Sequence, residues 1–469
     1  MSPFRIEHDA FGPVEIPTDR YWGAQTQRAL TVFDIGTERF PACLIHAFGL
    51  QKMAAAAANL QCGELEPRIA AAIVDAAAEV HAGMFDDHFP LTIWQTGSGT
   101  QTNMNANEVI ANRANERLGE PLGTRQPVHP NDHVNRSQSS NDSFPTVMHL
   151  SAVLELRGRL LPTLAQLRDA LRARATDFAD ILKLGRTHLM DAVPTTLGRS
   201  FDSFAVQIDH GIARIEGTLP RLLTLPQGGT AAGTGLNAPA GFAQAFSAEL
   251  GRLTGHAFRP NPCQVEGMAA HDALLELSGM LNVIAASFIK IANYLRWMSS
   301  GPNCGIGELI MPEDGLTSSI MPGKRNPTIA EVMIQTGMQV AGNHVAATMA
   351  GASGNFELNV AKPVLIYNVL QSIRLLSDSA RVMAERVIPG LEPDLPRLAR
   401  QLDSPLLAAT ALNPVLGYDQ AARIVRHAMA HGVSPRDAAV QLGVLAAEEY
   451  DRLVDLQRMA RGYGGSERH

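Results

Sequence analysis

Charged residues are scarce in this chain of 469 residues. Asp, Glu, Lys and Arg together make up 18% of it, whereas a typical soluble domain carries about 25%. Because 45% of the residues are hydrophobic and the net charge is only −7, disorder is excluded as the overall state. A chain so poor in charge is expected to bury much of its surface, either in a large core or against copies of itself.

Cysteine is also rare, and its spacing excludes several kinds of site. Cys43, Cys62, Cys263 and Cys304 are far apart in the sequence, whereas a zinc finger, an iron–sulfur cluster or a secreted disulfide framework needs clustered cysteines. Lys and Arg are neither in excess nor clustered, so no nucleic-acid partner is predicted. Residues 1–17 carry charges of both signs and lack an apolar segment, which argues against a signal peptide. We therefore expect a cytoplasmic protein.

One segment resembles a membrane span because it contains no Asp, Glu, Lys or Arg: residues 332–356. Gln335, Gln339 and Asn343 nevertheless recur there at four-residue helical spacing. A lipid-facing helix would not carry such a polar stripe. The pattern predicts a helix buried among other helices, with its polar groups paired and no membrane partner.

Helical periodicity dominates the sequence, and several predicted helices are long. Pro162 is expected to kink the first of them. Long apolar helices are stable when they pack side by side, so the pattern predicts a mainly α fold built on a helical bundle. Five segments far exceed the mean helix of about 11–12 residues: 144–178, 195–225, 268–299, 326–350 and 363–387.

Changes in composition along the chain predict three domains. Residues 1–138 are assigned to a mostly helical N-terminal domain, and residues 139–392 to a central domain made of the long helices. Beyond Pro389 the predicted helices become shorter and more charged. Residues 393–469 are therefore expected to form a small helical C-terminal domain.

Two polar loops that precede predicted helices are candidate anion-binding sites. Residues 98–100 lie ahead of a helix that begins near Asn103, and residues 139–142 lie ahead of a helix with Pro145 near its start. The free N–H groups and positive dipole of a helix N-terminus attract carboxylates. An ordinary N-cap or a glycine turn is the simpler alternative in each case. The loop at 98–100 lacks the strand and lysine of a nucleotide-binding phosphate loop.

A third loop carries a cation at the expected start of a helix. Asn326 and Pro327 predict a helix N-terminus, and Lys324 lies just ahead of it. A cation beside the positive end of a helix dipole is unfavourable unless an anion binds there, although a solvated surface lysine is the alternative. Glycines bracket the hydroxyl-bearing residues 317–319, which indicates a mobile flap.

Histidines in loops are more often structural or exposed than catalytic. His188 is predicted to lie in a loop between two long helices. His129 and His133 flank a Pro-Asn-Asp sequence that breaks any helix between them, so a polar turn is favoured over a metal site. These loops together suit a small substrate with more than one carboxylate and a reaction driven by proton transfer.

The same loops, with further segments that extend over nearly the whole chain, resemble class II fumarases of the fumarase/aspartase superfamily. The last of the five principal segments is highly specific to the superfamily, and Thr187 with His188 favours fumarase over aspartase. The segments are GSGTQTNMNANEVIANRA (97–114), VHPNDHVNRSQSSNDSFPTVMH (128–149), GRTHLMDAVPTTLG (185–198), GGTAAGTGLN (228–237) and SSIMPGKRNP (318–327).

This resemblance implies a three-domain superfamily lyase fold. Its long central helices would form a twenty-helix core in a homotetramer, with each active site shared by three subunits. The implied activity is the fumarate hydratase reaction of the tricarboxylic acid cycle, the reversible hydration of fumarate to (S)-malate. Water would be added or eliminated in the anti sense through an aci-carboxylate intermediate, without a cofactor or metal.

The resemblance also implies roles for single residues. Ser318 would take the C3 proton of malate, and His188, held by Glu331, would handle the proton at the leaving hydroxyl. A second, peripheral dicarboxylate site would fall on His129, Pro130, Asn131 and Asp132. The carboxylate-binding positions would be Ser98, Gly99, Thr100, Ser139, Ser140, Asn141, Thr187, Ser319, Lys324, Arg325 and Asn326.

The chain departs from the fumarase pattern at three positions in two of these loops. Fumarases usually have Gly where Thr317 stands, Val where Arg325 stands, and a carboxylate or similar residue at His133. Such differences bear on rate and substrate breadth more than on reaction class. Two alternatives stay open: an aspartase-like or other dicarboxylate lyase of the same superfamily, and a catalytically silent homologue.

Overall fold

The computed structural model of the protein describes residues 3–316 and 318–461. Thr317, one of the departures from the fumarase pattern, lies outside the described residues. Short 3₁₀-helices and π-helical turns connect some of the α-helices. The α-helices in the described chain are α1 (Ala24–Val32), α2 (Ala42–Gln61), α3 (Pro67–His81), α4 (Thr100–Arg117), α5 (Ser140–Glu155), α6 (Leu161–Asp177), α7 (Leu197–Leu222), α8 (Phe242–Thr254), α9 (Gln264–Ala269), α10 (Asp272–Met298), α11 (Thr328–Gly351), α12 (Lys362–Arg386), α13 (Leu395–Gln401), α14 (Asn413–Leu416), α15 (Tyr418–His431), α16 (Pro435–Gln441), α17 (Ala447–Leu453) and α18 (Leu456–Arg461).

Strands in the described residues are short and form only two-stranded sheets, as expected from the sequence. Four of the five sheets are antiparallel, and the β5–β6 pair is parallel. The predicted mainly α fold is therefore confirmed. The pairs are β1 (Phe4–Asp9) with β2 (Gly12–Pro17), β3 (Leu182–Thr187) with β4 (Met190–Thr196), β5 (Thr224–Leu225) with β6 (Arg259–Pro260), β7 (Leu309–Ile310) with β10 (Glu392–Pro393), and β8 (Gly354–Asn355) with β9 (Leu358–Asn359).

The chain forms two compact units, each with its own packing. In the first unit α2 packs against α3, α5 and α8. In the second unit four aromatic rings form a row with successive centroids 5.4, 5.8 and 5.6 Å apart: Phe178, Phe201, Phe204 and Tyr294. The three domains predicted from composition stay a prediction. The first unit comprises residues 1–162, 211–286 and 336–377, and the second comprises residues 163–210, 287–335 and 378–469.

The five long helical segments are confirmed, with one interruption where it was expected. A π-helical turn, Leu156–Leu160, separates α5 from α6, and Pro162 lies two residues after it, in the first turn of α6. Proline has no N–H and its ring clashes with the carbonyl four residues earlier, which here belongs to Gly158 within that turn. The proline therefore explains why the helix loses its regular hydrogen bonding at this point.

The apolar stripe of α10 is buried, as its spacing requires. By length and composition this is the one helix in the described ranges that could cross a membrane, a test that core helices of soluble proteins also pass. Its inward positions recur every three or four residues and pack as a continuous ridge. Each of these side chains is at most 2% exposed: Leu274, Leu277, Leu281, Ile284, Phe288, Ile291 and Leu295.

Within the described chain the polar stripe predicted on α11 is buried only at Asn343. Asn343 is 2% exposed, and its Nδ2 donates to Gln371 Oε1 at 2.9 Å and to Ser372 Oγ at 3.1 Å. Gln339 Nε2 donates to Asn343 Oδ1 at 2.8 Å, but Gln335 and Gln339 are themselves exposed. The one buried amide therefore has the partners that it needs, and burial of the whole stripe stays a prediction.

Candidate active site

Two helix N-termini meet in the first unit, and their hydroxyl groups are connected. Ser98 Oγ lies 2.9 Å from Thr100 Oγ1, and Thr100 Oγ1 lies 2.8 Å from Ser140 Oγ. Thr100 and Ser140 are the first residues of α4 and α5. The structure thus brings the two candidate anion loops of the sequence into one site, where hydroxyls and free backbone N–H groups converge.

Gly99 is required by the geometry of this junction. As the N-cap of α4 it has φ +77°, the left-handed region that side chains other than glycine rarely adopt. A Cβ atom on Gly99 would lie 2.1 Å from the ring of Phe144, a buried side chain of α5. Glycine therefore allows the start of α4 to approach α5 closely enough for their hydroxyls to bond.

The N-terminus of α5 is closed by a reciprocal cap. Ser139 Oγ accepts from Asn141 N at 3.2 Å, and Asp142 Oδ1 accepts from Ser139 N at 2.9 Å. Asn141 Nδ2 donates to Ala231 O at 2.9 Å. The residues that cap α5 are thus also the residues of the candidate anion-binding loop. Both roles are compatible because the cap uses only part of their polar groups.

Asp142 was not predicted as a site residue, and it lies directly beneath this loop. It is fully buried, and its Oδ2 accepts from Gly228 N and from Thr230 N, both at 2.9 Å. Burial raises the pKa of its carboxyl to about 6. The signal that could have found it is the capping-box spacing, an acidic residue three positions after a serine N-cap.

A buried lysine, Lys52, was also missed. Its Nζ donates to Gln138 Oε1 at 2.9 Å and to Asn135 Oδ1 at 3.2 Å. Burial lowers the pKa of this ammonium group to about 7, and the charge of Asp142 opposes that change. Nothing near Lys52 in the Ala-rich sequence of α2 marks it, because both acceptors come from residues more than eighty positions away.

The residues of the predicted peripheral site form a π-helical turn, Pro130–Val134, with His129 as its N-cap. His129 Nδ1 accepts from Asn131 N and Asp132 N, each at 3.2 Å. Burial lowers the pKa of this imidazole. A polar turn was expected here, and its backbone N–H groups face the histidine ring.

His188 lies at the tip of a β-hairpin in the second unit, not in a plain loop between helices as expected. His188 and Leu189 together form the turn between β3 and β4, and they have φ +55° and +62°. Positive φ at both central residues is the geometry of a type I′ hairpin turn, which usually selects Asn or Gly. The sequence lacks those residues at the turn, which is why the hairpin was not predicted.

The base of this hairpin is fixed by a buried carboxylate, Glu308. Its Oε2 lies 2.6 Å from Arg186 Nη2 and 3.3 Å from Lys183 Nζ. Burial lowers the pKa of Lys183. The hairpin, with His188, lines a cavity of about 810 Å³ in the second unit. Lys183, Arg186 and Lys290 line this cavity, and Glu308 offsets part of the positive charge of the first two.

Ser318 lies in the loop that precedes α11, also in the second unit. Its Oγ accepts a hydrogen bond from Met321 N at 3.2 Å. The side chains of Ser319, Lys324 and Asn326 are exposed. This loop therefore presents a serine hydroxyl, an ammonium and an amide at the surface of the unit.

The predicted helix start near this loop is shifted by one residue. The helix begins at Thr328 rather than Pro327, and the Thr328 hydroxyl donates to Asp314, which lowers the pKa of that carboxyl. Arg325, a departure from the fumarase pattern, pairs with Glu313. The Asp314 bond ties the start of α11 to the beginning of the loop.

The predicted partnership of His188 with Glu331 is not formed within the described chain. Glu331, in the first turn of α11, lies 3.9 Å from Arg296 (Oε1 to Nη2). No hydrogen bond joins it to His188 among the described residues. The pairing therefore stays a prediction, and it requires either a rearrangement or a second copy of the chain.

Comparison with known proteins gives the family. A family model described as lyase matches residues 12–342, and one described as fumarase C C-terminus matches residues 409–461. Class II fumarate hydratase from Thermosynechococcus vestitus is 53% identical over 98% of this chain and 99% of its own length. The chain belongs to the class II fumarate hydratase family.

Further relatives agree with that assignment. The mitochondrial fumarate hydratase of Rhizopus oryzae is 52% identical over 97% of this chain and 92% of its own length. The crystal structure of class II fumarase from Schistosoma mansoni aligns with a TM-score of 0.95, at 39% identity over 97% of this chain and 99% of that one. The resemblance found in the motifs and the superfamily lyase fold are confirmed.

Within this fumarate hydratase family member, the predicted site residues separate into groups. The hydroxyl-bearing loops at 98–100 and 139–141 come together in the first unit. Residues 187–188 lie at the hairpin tip of the second unit, and residues 318–326 lie in its exposed loop. Which of these groups act in one site stays a prediction.

Proposed function

We propose that this chain catalyses the reversible hydration of fumarate to (S)-malate. The observation that supports this most strongly is the connected set of hydroxyls at the N-termini of α4 and α5, in a chain of the class II fumarate hydratase family. One carboxylate of the substrate binds there, accepting from Ser98, Thr100, Ser140 and the amide of Asn141. The helix dipoles add a favourable field for its negative charge.

The base in this proposal is Ser318, which takes the C3 proton of malate. A serine hydroxyl is a poor base unless its alkoxide is stabilised and water is excluded. The N–H of Met321, 3.2 Å from Ser318 Oγ, supplies such stabilisation. Because it is a fixed backbone dipole, it needs no reorganisation when charge develops on the oxygen.

Removal of that proton places a second negative charge on the adjacent carboxylate, giving an aci-carboxylate intermediate. Lys324, with Asn326 and Ser319 beside it, is the proposed group that stabilises this charge. Thr187 and Arg325 complete the predicted carboxylate contacts. An exposed lysine can do this only when substrate or a neighbouring chain shields the site from water.

The leaving hydroxyl is proposed to receive its proton from His188, with Glu331 holding the imidazole. A histidine is suited to this step because its ordinary pKa lies near neutral pH. The carboxylate fixes the ring and stabilises its protonated form. No hydrogen bond joins His188 to Glu331 among the described residues, so this step requires either a rearrangement or a second copy of the chain.

Assembly as a homotetramer with shared active sites is supported by an exposed apolar face. Met338, Val345 and Met349 on α11 are 61%, 64% and 69% exposed. Exposed apolar patches of this kind mark interfaces. Sedimentation equilibrium of the purified chain should give four times the chain mass of 50.3 kDa, and a stable monomer would contradict both the assembly and the shared site.

A direct assay tests the reaction itself. Purified protein treated with a chelator is mixed with (S)-malate, and fumarate is followed by its ultraviolet absorbance. We expect fumarate to form without added metal or cofactor, and no fumarate from L-aspartate. Release of fumarate and ammonia from L-aspartate, with none from malate, would replace this proposal by an aspartase-like activity.

We infer a cytoplasmic location, which cell fractionation tests. Relatives of this chain include both bacterial and mitochondrial proteins.

The turn formed by His129, Pro130, Asn131 and Asp132 is proposed as a second dicarboxylate site. Titration of a catalytically silent variant with malate would then show two binding events rather than one.

A further inference from the structure

A buried carboxylate under the proposed substrate loop connects two segments that are far apart in sequence. Asp142 lies in the first turn of α5 and is fully buried. Its side chain accepts backbone N–H groups from Ser139, Gly228 and Thr230, all at 2.9 Å. It also accepts the hydroxyl of Ser143 at 3.3 Å. One side chain thus satisfies three backbone donors.

One of the segments that it connects carries groups proposed to bind substrate, and the other contacts one of those groups. Ser139 caps the helix that presents Ser140 and Asn141. The other segment continues to Ala231, whose carbonyl accepts from Asn141 Nδ2 at 2.9 Å. If residues 228–231 moved, Asn141 would lose this acceptor and its amide would turn. The position of the Asn141 amide therefore depends on the loop that Asp142 holds.

The loop is held in a conformation that it would not favour alone. Thr230 has φ +55°, and a β-branched residue in that region is strained. Its N–H is one of the two that Asp142 Oδ2 accepts. The hydrogen bond to a buried carboxylate supplies the stabilisation that keeps this residue in place.

We propose that Asp142 is a positioning residue for substrate binding: its carboxylate fixes residues 228–231 against the N-terminus of α5 and so orients Asn141 toward a substrate carboxylate. This inference rests on the proposed dicarboxylate function. It does not make Asp142 a catalytic residue, because its oxygens are occupied by the protein's own N–H groups.

The chain contains a matched control, Glu108 on α4. It too is buried and accepts three backbone N–H groups, from Gly23, Gln25 and Thr26, at 2.9, 2.8 and 3.1 Å, with the Thr26 hydroxyl as a fourth donor. It fixes the start of α1, which carries none of the proposed substrate contacts. Loss of either carboxylate removes the same kind of bonds, but only one of them lies beneath the proposed site.

The experiment compares Asp142→Asn with Glu108→Gln in the full-length protein. An amide presents N–H groups where three N–H donors already point, so both variants should lower the unfolding temperature. Three quantities are measured for each variant: KM for (S)-malate, the unfolding temperature, and the affinity for succinate by calorimetry. Succinate is a dicarboxylate that does not react. We expect Asp142→Asn to weaken succinate binding and raise KM by about tenfold or more. Glu108→Gln should leave both within about twofold.

A second pair of variants keeps the test decisive. Thr230→Gly adopts positive φ without strain, so adding it to Asp142→Asn should restore part of the lost succinate affinity. If Asp142→Asn does not fold, Asp142→Glu, which keeps the acceptors but displaces them, should still raise KM. The proposal is overturned if the Asp142 variants bind succinate within twofold of the parent affinity. It is also overturned if Glu108→Gln loses as much succinate affinity as the Asp142 variants.

Succinate binding also separates this inference from the proposed function. If the parent protein binds succinate but forms no fumarate from malate, the hydration activity fails while the role of Asp142 is still measured. If the parent forms fumarate and the Asp142 variants bind succinate normally, the activity stands and the positioning role fails.

Discussion

The loops at the N-termini of α4 and α5 and the loop that carries Ser318 have similar polar compositions but opposite environments. The first are fixed by buried bonds, such as the bond of 2.9 Å from Thr230 N to Asp142 Oδ2 beneath the α5 loop. In the Ser318 loop, Arg325 and Glu313 form an ion pair whose side chains are 59% and 69% exposed. The difference fits the two proposed tasks: a binding site is preorganised by buried bonds, whereas a loop that is proposed to deliver a base must be free to close.

The largest effect that this comparison predicts is on turnover. Ser318→Ala should lower kcat by about a thousandfold or more, because it removes the proposed base. Its unfolding temperature should equal that of the parent, since the loop contributes little to stability. Steady-state kinetics and calorimetry measure both; near-normal turnover would remove Ser318 from the mechanism.

The next largest effect is on stability, in the buried junction. Gly99→Ala places a Cβ 2.1 Å from the Phe144 ring at φ +77°, which should reduce the free energy of unfolding by about 2–4 kcal/mol. Urea unfolding checks this value. Gly315→Ala, also at positive φ but with open space around it, is the control and should lose only the smaller cost of backbone strain.

An intermediate effect, on both substrate binding and stability, is expected at Thr100. Thr100→Ala removes a hydroxyl that contacts both Ser98 and Ser140. We expect KM to rise about tenfold and the free energy of unfolding to fall by about 1–3 kcal/mol. Thr100→Ser keeps the hydroxyl, so its KM and its free energy of unfolding should lie close to those of the parent. If KM is unchanged in Thr100→Ala, substrate does not bind at this junction.

The smallest effect is expected in the exposed loop. Arg325→Ala removes the ion pair with Glu313, and exposed pairs contribute about 0–1 kcal/mol. Unfolding should therefore change by less than about 1 kcal/mol, and even less in high salt. A loss of several kcal/mol would show that this loop is as firmly held as the junction, and the comparison would fail.

The sequence predicted the long helices because their apolar stripes recur at helical spacing, as in α10. It predicted the anion loops because hydroxyl and amide residues before a helix have a known local geometry. It did not predict the His188 hairpin, since His188 and Leu189 are not the residues that usually adopt positive φ. Nor did it predict Asp142 as a site residue, because two of its donors lie 86 and 88 positions away, a distance that local patterns do not reach.

The helix α11 leaves large apolar side chains in water, and this bears on folding. Its inner side is packed within one chain, where Met333 and Val340 are each 1% exposed, whereas Met338 and Met349 are 61% and 69% exposed. If copies of the chain cover that surface, as proposed, association stabilises the folded state. The midpoint of unfolding should then rise with protein concentration, and chains that have not yet assembled should be the species that aggregates.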